Sequence, residues 1–175
     1  MFFLEGGIFM VLLGMLYQDL KYRAIYWWLF PILSLLLACR SLEAITLSGI
    51  LKQALQSAIF LLLQFTALTV YLSFKERKLT NIFNGFFGLG DLLFLVSITF
   101  GFSFLNYILF YLSSLTLIIL FTAILNNINK KSTEKIPLAG YQALLAIVLM
   151  MIDMASPAID LLSDRSLILM LSYGN

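Results

Sequence analysis

The chain has no histidine, a single cysteine and three prolines in 175 residues, and only 11% of its residues are charged. Each scarcity removes a class of chemistry. Without histidine there is no Ser-His or Cys-His nucleophile pair and no imidazole metal site. One cysteine, Cys39, excludes an internal disulfide and a thiolate metal cluster. No basic face or long polar segment is available to follow a nucleic acid, so no nucleic-acid partner is expected. No metal or other cofactor is expected either, which leaves carboxylates as the leading candidates for acid–base work. A soluble domain carries roughly 25% charged residues. A chain this poor in charge cannot cover a water-facing surface.

What is there instead is apolar: 62% of residues are hydrophobic and the mean hydropathy is +1.00. Runs near 20 residues, the length that crosses a hydrocarbon core of about 30 Å, recur along the chain. The expected fold is all-α, a polytopic membrane protein in contact with lipid. Six transmembrane helices are expected, near Phe2–Gln18, Tyr26–Cys39, Ala54–Phe74, Ile82–Phe102, Leu105–Leu125 and Ile136–Ile152. The second is short for a full crossing. The opening Met1-Phe2-Phe3-Leu4-Glu5 has no basic n-region, so the first run is expected to stay as a membrane helix. Gln56, Gln64, Ser113 and Ser114 are expected to bond between helices.

The basic residues alternate with the loops. Lys21 and Arg23 lie in the first, Lys75, Arg77 and Lys78 in the third, and Lys130, Lys131 and Lys135 in the fifth. The even loops hold only Arg40 and Lys52. By the positive-inside rule the odd loops are cytoplasmic and the N-terminus is outside. Residues 1–153 form the helical membrane unit. In 154–175, Ser156-Pro157 reads as a helix start, and Asp160, Asp164 and Arg165 break the apolar residues too often for a span. A short amphipathic C-terminal helix or tail on the outer surface is expected.

Two carboxylates stand out. Asp19 ends the first span, and Asp91 follows the turn Gly85-Phe86-Phe87-Gly88-Leu89-Gly90 at the head of the fourth. The alternation of charge puts both at the same membrane face. Taken singly, Asp19 reads as a solvated interface residue and Asp91 as a cap of the fourth helix. As a pair they read differently. Two carboxylates about 3 Å apart cannot both ionise readily, so one keeps a proton while the other is a base. Such a pair can activate water, stabilise the oxyanion and protonate a leaving amine. Gly88 and Gly90 would let the backbone before Asp91 take unusual torsions and let a substrate strand come close. A tight helix crossing is the other use of these glycines.

Gly88-Leu89-Gly90-Asp91 resembles the GxGD motif of type IV prepilin and preflagellin peptidases, membrane aspartyl proteases distantly akin to presenilin. Asp19, followed by Arg23 and Ile25, is similar to the family's upstream aspartate before Arg-x-Ile-Pro-Asn. Ile136-Pro137-Leu138-Ala139-Gly140 after Lys135 resembles the late Lys-x-x-Ile-Pro segment. Tyr26-Trp27 replaces Pro-Asn, and Leu93 stands where many members carry lysine. The cysteine-rich region and the N-methyltransferase part of larger members are missing. The resemblance implies a peptidase-only enzyme of the bacterial cytoplasmic membrane. Asp19 and Asp91 would be catalytic, and Gly88, Gly90, Arg23 and Pro137 would serve the motif and the substrate. It implies as substrate a prepilin-like precursor with a basic cytoplasmic leader, a glycine at the cut and an apolar helix. A small proton- or cation-coupled transporter using the same aspartates, and a catalytically silent assembly factor, are the alternatives.

Overall fold

A computed structural model describes residues 2–77, 88–128, 137–156, 160–164 and 168. Their regular structure is wholly helical: α1 (Phe2–Tyr22), α2 (Leu29–Leu42), α3 (Leu47–Glu76), α4 (Leu89–Ile98), α5 (Phe104–Ile128) and α6 (Leu138–Ala155). Four of them, α1, α3, α5 and α6, are long and apolar enough to cross a membrane. At 1.5 Å per residue the 21 residues of α1 measure about 31 Å, close to a hydrocarbon core. The 14 residues of α2 and 10 of α4 are apolar but shorter.

The longest contact is between α1 and α6, and it follows from side-chain size. Ala139, Gly140, Ala143 and Ala146 put a small-residue face on α6, which lets it lie close to Ile8, Leu12 and Met15 of α1. Leu33 and Leu37 of α2 and Phe94, Leu95 and Ile98 of α4 complete this core. α5 joins α4 through the Tyr107 hydroxyl, which donates to the Leu95 carbonyl (3.3 Å), and meets α3 where Phe60 stacks edge-on to Tyr107 and Tyr111. Outward faces of α3 and α5 carry exposed Leu51, Leu55, Leu62, Leu63, Ile119, Leu120 and Ile124, as suits contact with lipid.

The end of the bundle that holds Glu5 is closed by charge. Arg40, at the last turn of α2, donates through Nε to Glu5 Oε1 of α1 (3.2 Å) and through Nη2 to Asp153 Oδ2 of α6. All three side chains are nearly buried. Asp153 Oδ1 also accepts from the Leu161 N–H (3.0 Å). Residues 160–164 therefore turn inward, with Leu161 and Leu162 buried, and do not form the expected surface helix there. Asn106 Nδ2 donates to the carbonyls of Asp160, Leu161 and Ser163, and the Leu105 N–H donates to Asp164. The acidic residues that interrupt this segment's hydrophobicity are spent on backbone bonds. Ser156 ends α6 in extended conformation, with its N–H on the Ile152 carbonyl, and Pro157 lies outside the described residues.

Of the four polar residues expected between helices, only Ser114 has such a bond among the described contacts, accepting from Gln142. Gln56 and Gln64 are exposed on α3, and Ser113 bonds its own helix. Period and polarity alone do not say which face of a helix is inward.

Candidate active site

Asp19 lies in the last turn of α1, Asp91 in the first turn of α4, and Ala139 and Gly140 in the first turn of α6. The antiparallel setting of α1 and α6 brings these three helix ends together. Pro137 is the N-cap of α6 and has no side-chain acceptor to offer. The first N–H groups of a helix need partners from outside it. They find them in the two aspartates. Gly140 N–H donates to Asp19 Oδ2 (2.6 Å) and Ala139 N–H to Asp91 Oδ1 (2.8 Å). Two carboxylates 72 positions apart in sequence thus occupy consecutive amides of one helix, and the charge of Asp19 acts on Asp91. The positive end of the α6 dipole faces both.

Local sequence explains each placement. Asp91 is the third residue of α4, and its Oδ2 reaches back to the N–H of the N-cap, Gly88 (3.2 Å). Its two oxygens therefore bind two helix starts at once. Gly88 has φ −80° and ψ 139°, ordinary extended backbone, so torsional freedom is not what this glycine supplies. Room is. A Cβ at Gly88 would stand 2.9 Å from Asp91 Oδ2. At Gly90 a Cβ would meet only Phe30 Cζ at 3.9 Å, an ordinary contact, and the expectation of special torsions fails there as well. The glycine that the carboxylates do require is Gly140. A Cβ on it would come within 3.1 Å of both Cβ and Oδ2 of Asp19.

Neither family model, curated protein nor solved structure matches this chain. The site is therefore read from its geometry.

Arg23 lies one turn beyond Asp19, exposed, at φ 53°. Its N–H returns to the Asp19 carbonyl (3.0 Å), and its guanidinium is within electrostatic range of the Asp19 carboxylate. This left-handed residue turns the chain out of α1, and Gln18 Oε1 then receives the Tyr26 N–H (3.0 Å) to hold the loop. Lys75 and Arg77 close α3, while Lys78, Ile136 and the lysines of the fifth loop lie outside the described residues.

Asp19 is buried and Asp91 half-buried. A buried carboxylate pair of this kind has two chemical uses: to share a proton and polarise water, or to cap a helix. No group of three or more His, Cys, Asp or Glu side chains suited to a metal occurs among the described residues. Sequence reasoning did not reach the α6 amides, the triad of Glu5, Arg40 and Asp153, or Gln142. For the triad a signal was present, since charges at or inside apolar runs need partners.

Proposed function

We propose that this chain is a membrane aspartyl endopeptidase of the GxGD type, removing the basic leader of prepilin-like precursors at the cytoplasmic face. The observation that carries the proposal is that Asp19 and Asp91, from helices far apart in sequence, accept from the neighbouring amides of Ala139 and Gly140. In this reading one carboxylate is ionised and takes a proton from water as the water attacks the scissile carbonyl. The other holds a proton, gives a hydrogen bond to the developing oxyanion and then protonates the departing nitrogen. Arg23 steadies the acidic pair, and Pro137 leaves the α6 amides free to orient it. All six helices lie in the bilayer of a bacterial cytoplasmic membrane with the N-terminus outside, the 14-residue α2 crossing by local thinning. The spacing of the Gly-x-Gly-Asp motif and the upstream aspartate supports this assignment.

One observation favours a second reading. Because Pro137 cannot cap α6, the aspartates could serve only as its caps, in a catalytically silent assembly factor. The two readings part on one substitution. Asparagine caps a helix about as well as aspartate, but it cannot exchange the proton. Asp19→Asn, which keeps the one acceptor that the Gly140 N–H uses, is expected to leave the melting temperature in detergent nearly unchanged, and Asp91→Asn, which keeps one acceptor for two N–H donors, to lower it modestly. Each is expected to lower cleavage of a synthetic peptide, with a lysine-rich leader, one glycine and a 20-residue Leu/Ala helix, by at least about 10²-fold. Retained cleavage in either variant refutes the dyad. A transport path is poorly served by this fold. Between Asp19 and the Glu5 cluster the α1–α6 contact is filled by Leu12, Met15, Ala143, Ala146 and Met150.

A further inference from the structure

Gln142 is fully buried on α6. Its Nε2 donates to Ser114 Oγ of α5 (3.2 Å), and the Ser114 proton goes to the Tyr111 carbonyl (2.9 Å). That chain of donors fixes which end of the amide faces Ser114. The other end, Oε1, has no hydrogen-bond partner among the described residues. Gln142 follows Ala139 by three positions, so the two lie on one side of α6 with Cβ atoms about 5–6 Å apart. The free acceptor thus sits one helical turn further into the bundle than the amide that holds Asp91.

A substrate cut at the aspartates, as proposed above, would present complementary groups at that depth. Its apolar helix starts just beyond the cut, and the first four N–H groups of any helix lack an internal acceptor. In water they would be solvated; within the bilayer they must be met by protein. We infer that Gln142 Oε1 accepts a backbone N–H from the first helical turn of the substrate, immediately past the scissile bond. Gln142 is then a binding residue that selects precursors whose helix begins within one turn of the cut. In this state its Nε2 end is held by Ser114 of α5. The bond forms as α5 parts from α6.

The inference rests on the endopeptidase reading, and the experiment separates the two. The synthetic precursor above is made in four further versions, each replacing one of the first four amides after the cut with an ester, which has no N–H. Wild-type protein is expected to lose about tenfold in kcat/KM at one position. Gln142→Leu is expected to melt at or above the wild-type temperature, because it removes an unsatisfied buried oxygen. It should cleave the all-amide peptide about tenfold less efficiently through KM, with no added loss from the sensitive ester. The inference is overturned if Gln142→Leu cleaves as wild type does, if its ester profile matches wild type, or if it melts lower. Wild-type protein that cleaves no such peptide, or Asp91→Asn that cleaves it normally, overturns the endopeptidase reading and the inference with it.

Discussion

At the scale of single residues, the site is set by what is absent from two positions. Gly140 has no Cβ, so Asp19 can approach the α6 backbone closely enough for a 2.6 Å hydrogen bond. Alanine there would press on Asp19 Cβ, which is tied to the backbone and cannot swing away. At Gly88 the nearest atom is Asp91 Oδ2, at the far end of a side chain, which can yield at the cost of its bond to the Gly88 N–H while Oδ1 keeps the Ala139 N–H. The two substitutions should therefore differ. Gly140→Ala is expected to lower kcat by up to about tenfold on the synthetic precursor, since Asp19 must give by only a fraction of the ~1 Å that costs on the order of 10²-fold. Gly88→Ala is expected to have the smaller effect. Equal losses in steady-state assays of the two would contradict this account of Gly140.

At the scale of elements, α6 is held at both ends by charge on α1. Asp19 meets its start, and Glu5 reaches its end through Arg40 and Asp153. The span of α1 between Glu5 and Asp19 is 14 residues, about 21 Å. Removing the cation leaves two buried carboxylates facing each other without compensation. Arg40→Met is expected to cost about 3–5 kcal/mol, the usual penalty for breaking a buried ion pair. Glu5→Gln, which keeps an acceptor for Arg40, is expected to cost less. Thermal melts in detergent, followed by the fluorescence of Trp27 and Trp28, measure both; an Arg40→Met protein as stable as wild type would show that the triad adds nothing.

At the scale of the whole molecule, one end carries the carboxylate pair and the other is plugged by residues 160–164. Ending the chain at Ala155 would leave the Asn106 amide with Ser103 Oγ alone and would orphan the Ser103 N–H, the Leu105 N–H and one oxygen of Asp153. Each buried group left without a partner costs about 1–3 kcal/mol, so the shortened chain is expected to melt well below the full one. Unchanged melting would show the turn to be dispensable. Orientation is tested separately in a Cys39→Ser background. Cysteine at the exposed position Ala24 should react with an impermeant maleimide only from the cytoplasmic side, and cysteine at the exposed position Glu43 only from outside. The reverse pattern would turn the molecule over and remove the leader from reach of the aspartates.

Composition and hydropathy alone point to helices, several of which can lie in a membrane, because continuous apolar runs near 20 residues fit a membrane helix that bonds its own backbone, whereas barrel strands are about 10 residues long and alternate in polarity. The order of the six helices was legible in the same runs, and Asp19 and Asp91 were legible as costly charges at their ends. Tertiary structure alone decided the rest. That the two aspartates share the start of α6 depends on α1 and α6 packing side by side, which no local pattern specifies. The pairing of Arg40 with Glu5 and Asp153, the inward turn of 160–164 and the exposure of Gln56 and Gln64 depend on which face of each helix turns inward. Hydrophobicity on every side of a membrane helix hides that face from the sequence, and only packing of small residues against large ones reveals it.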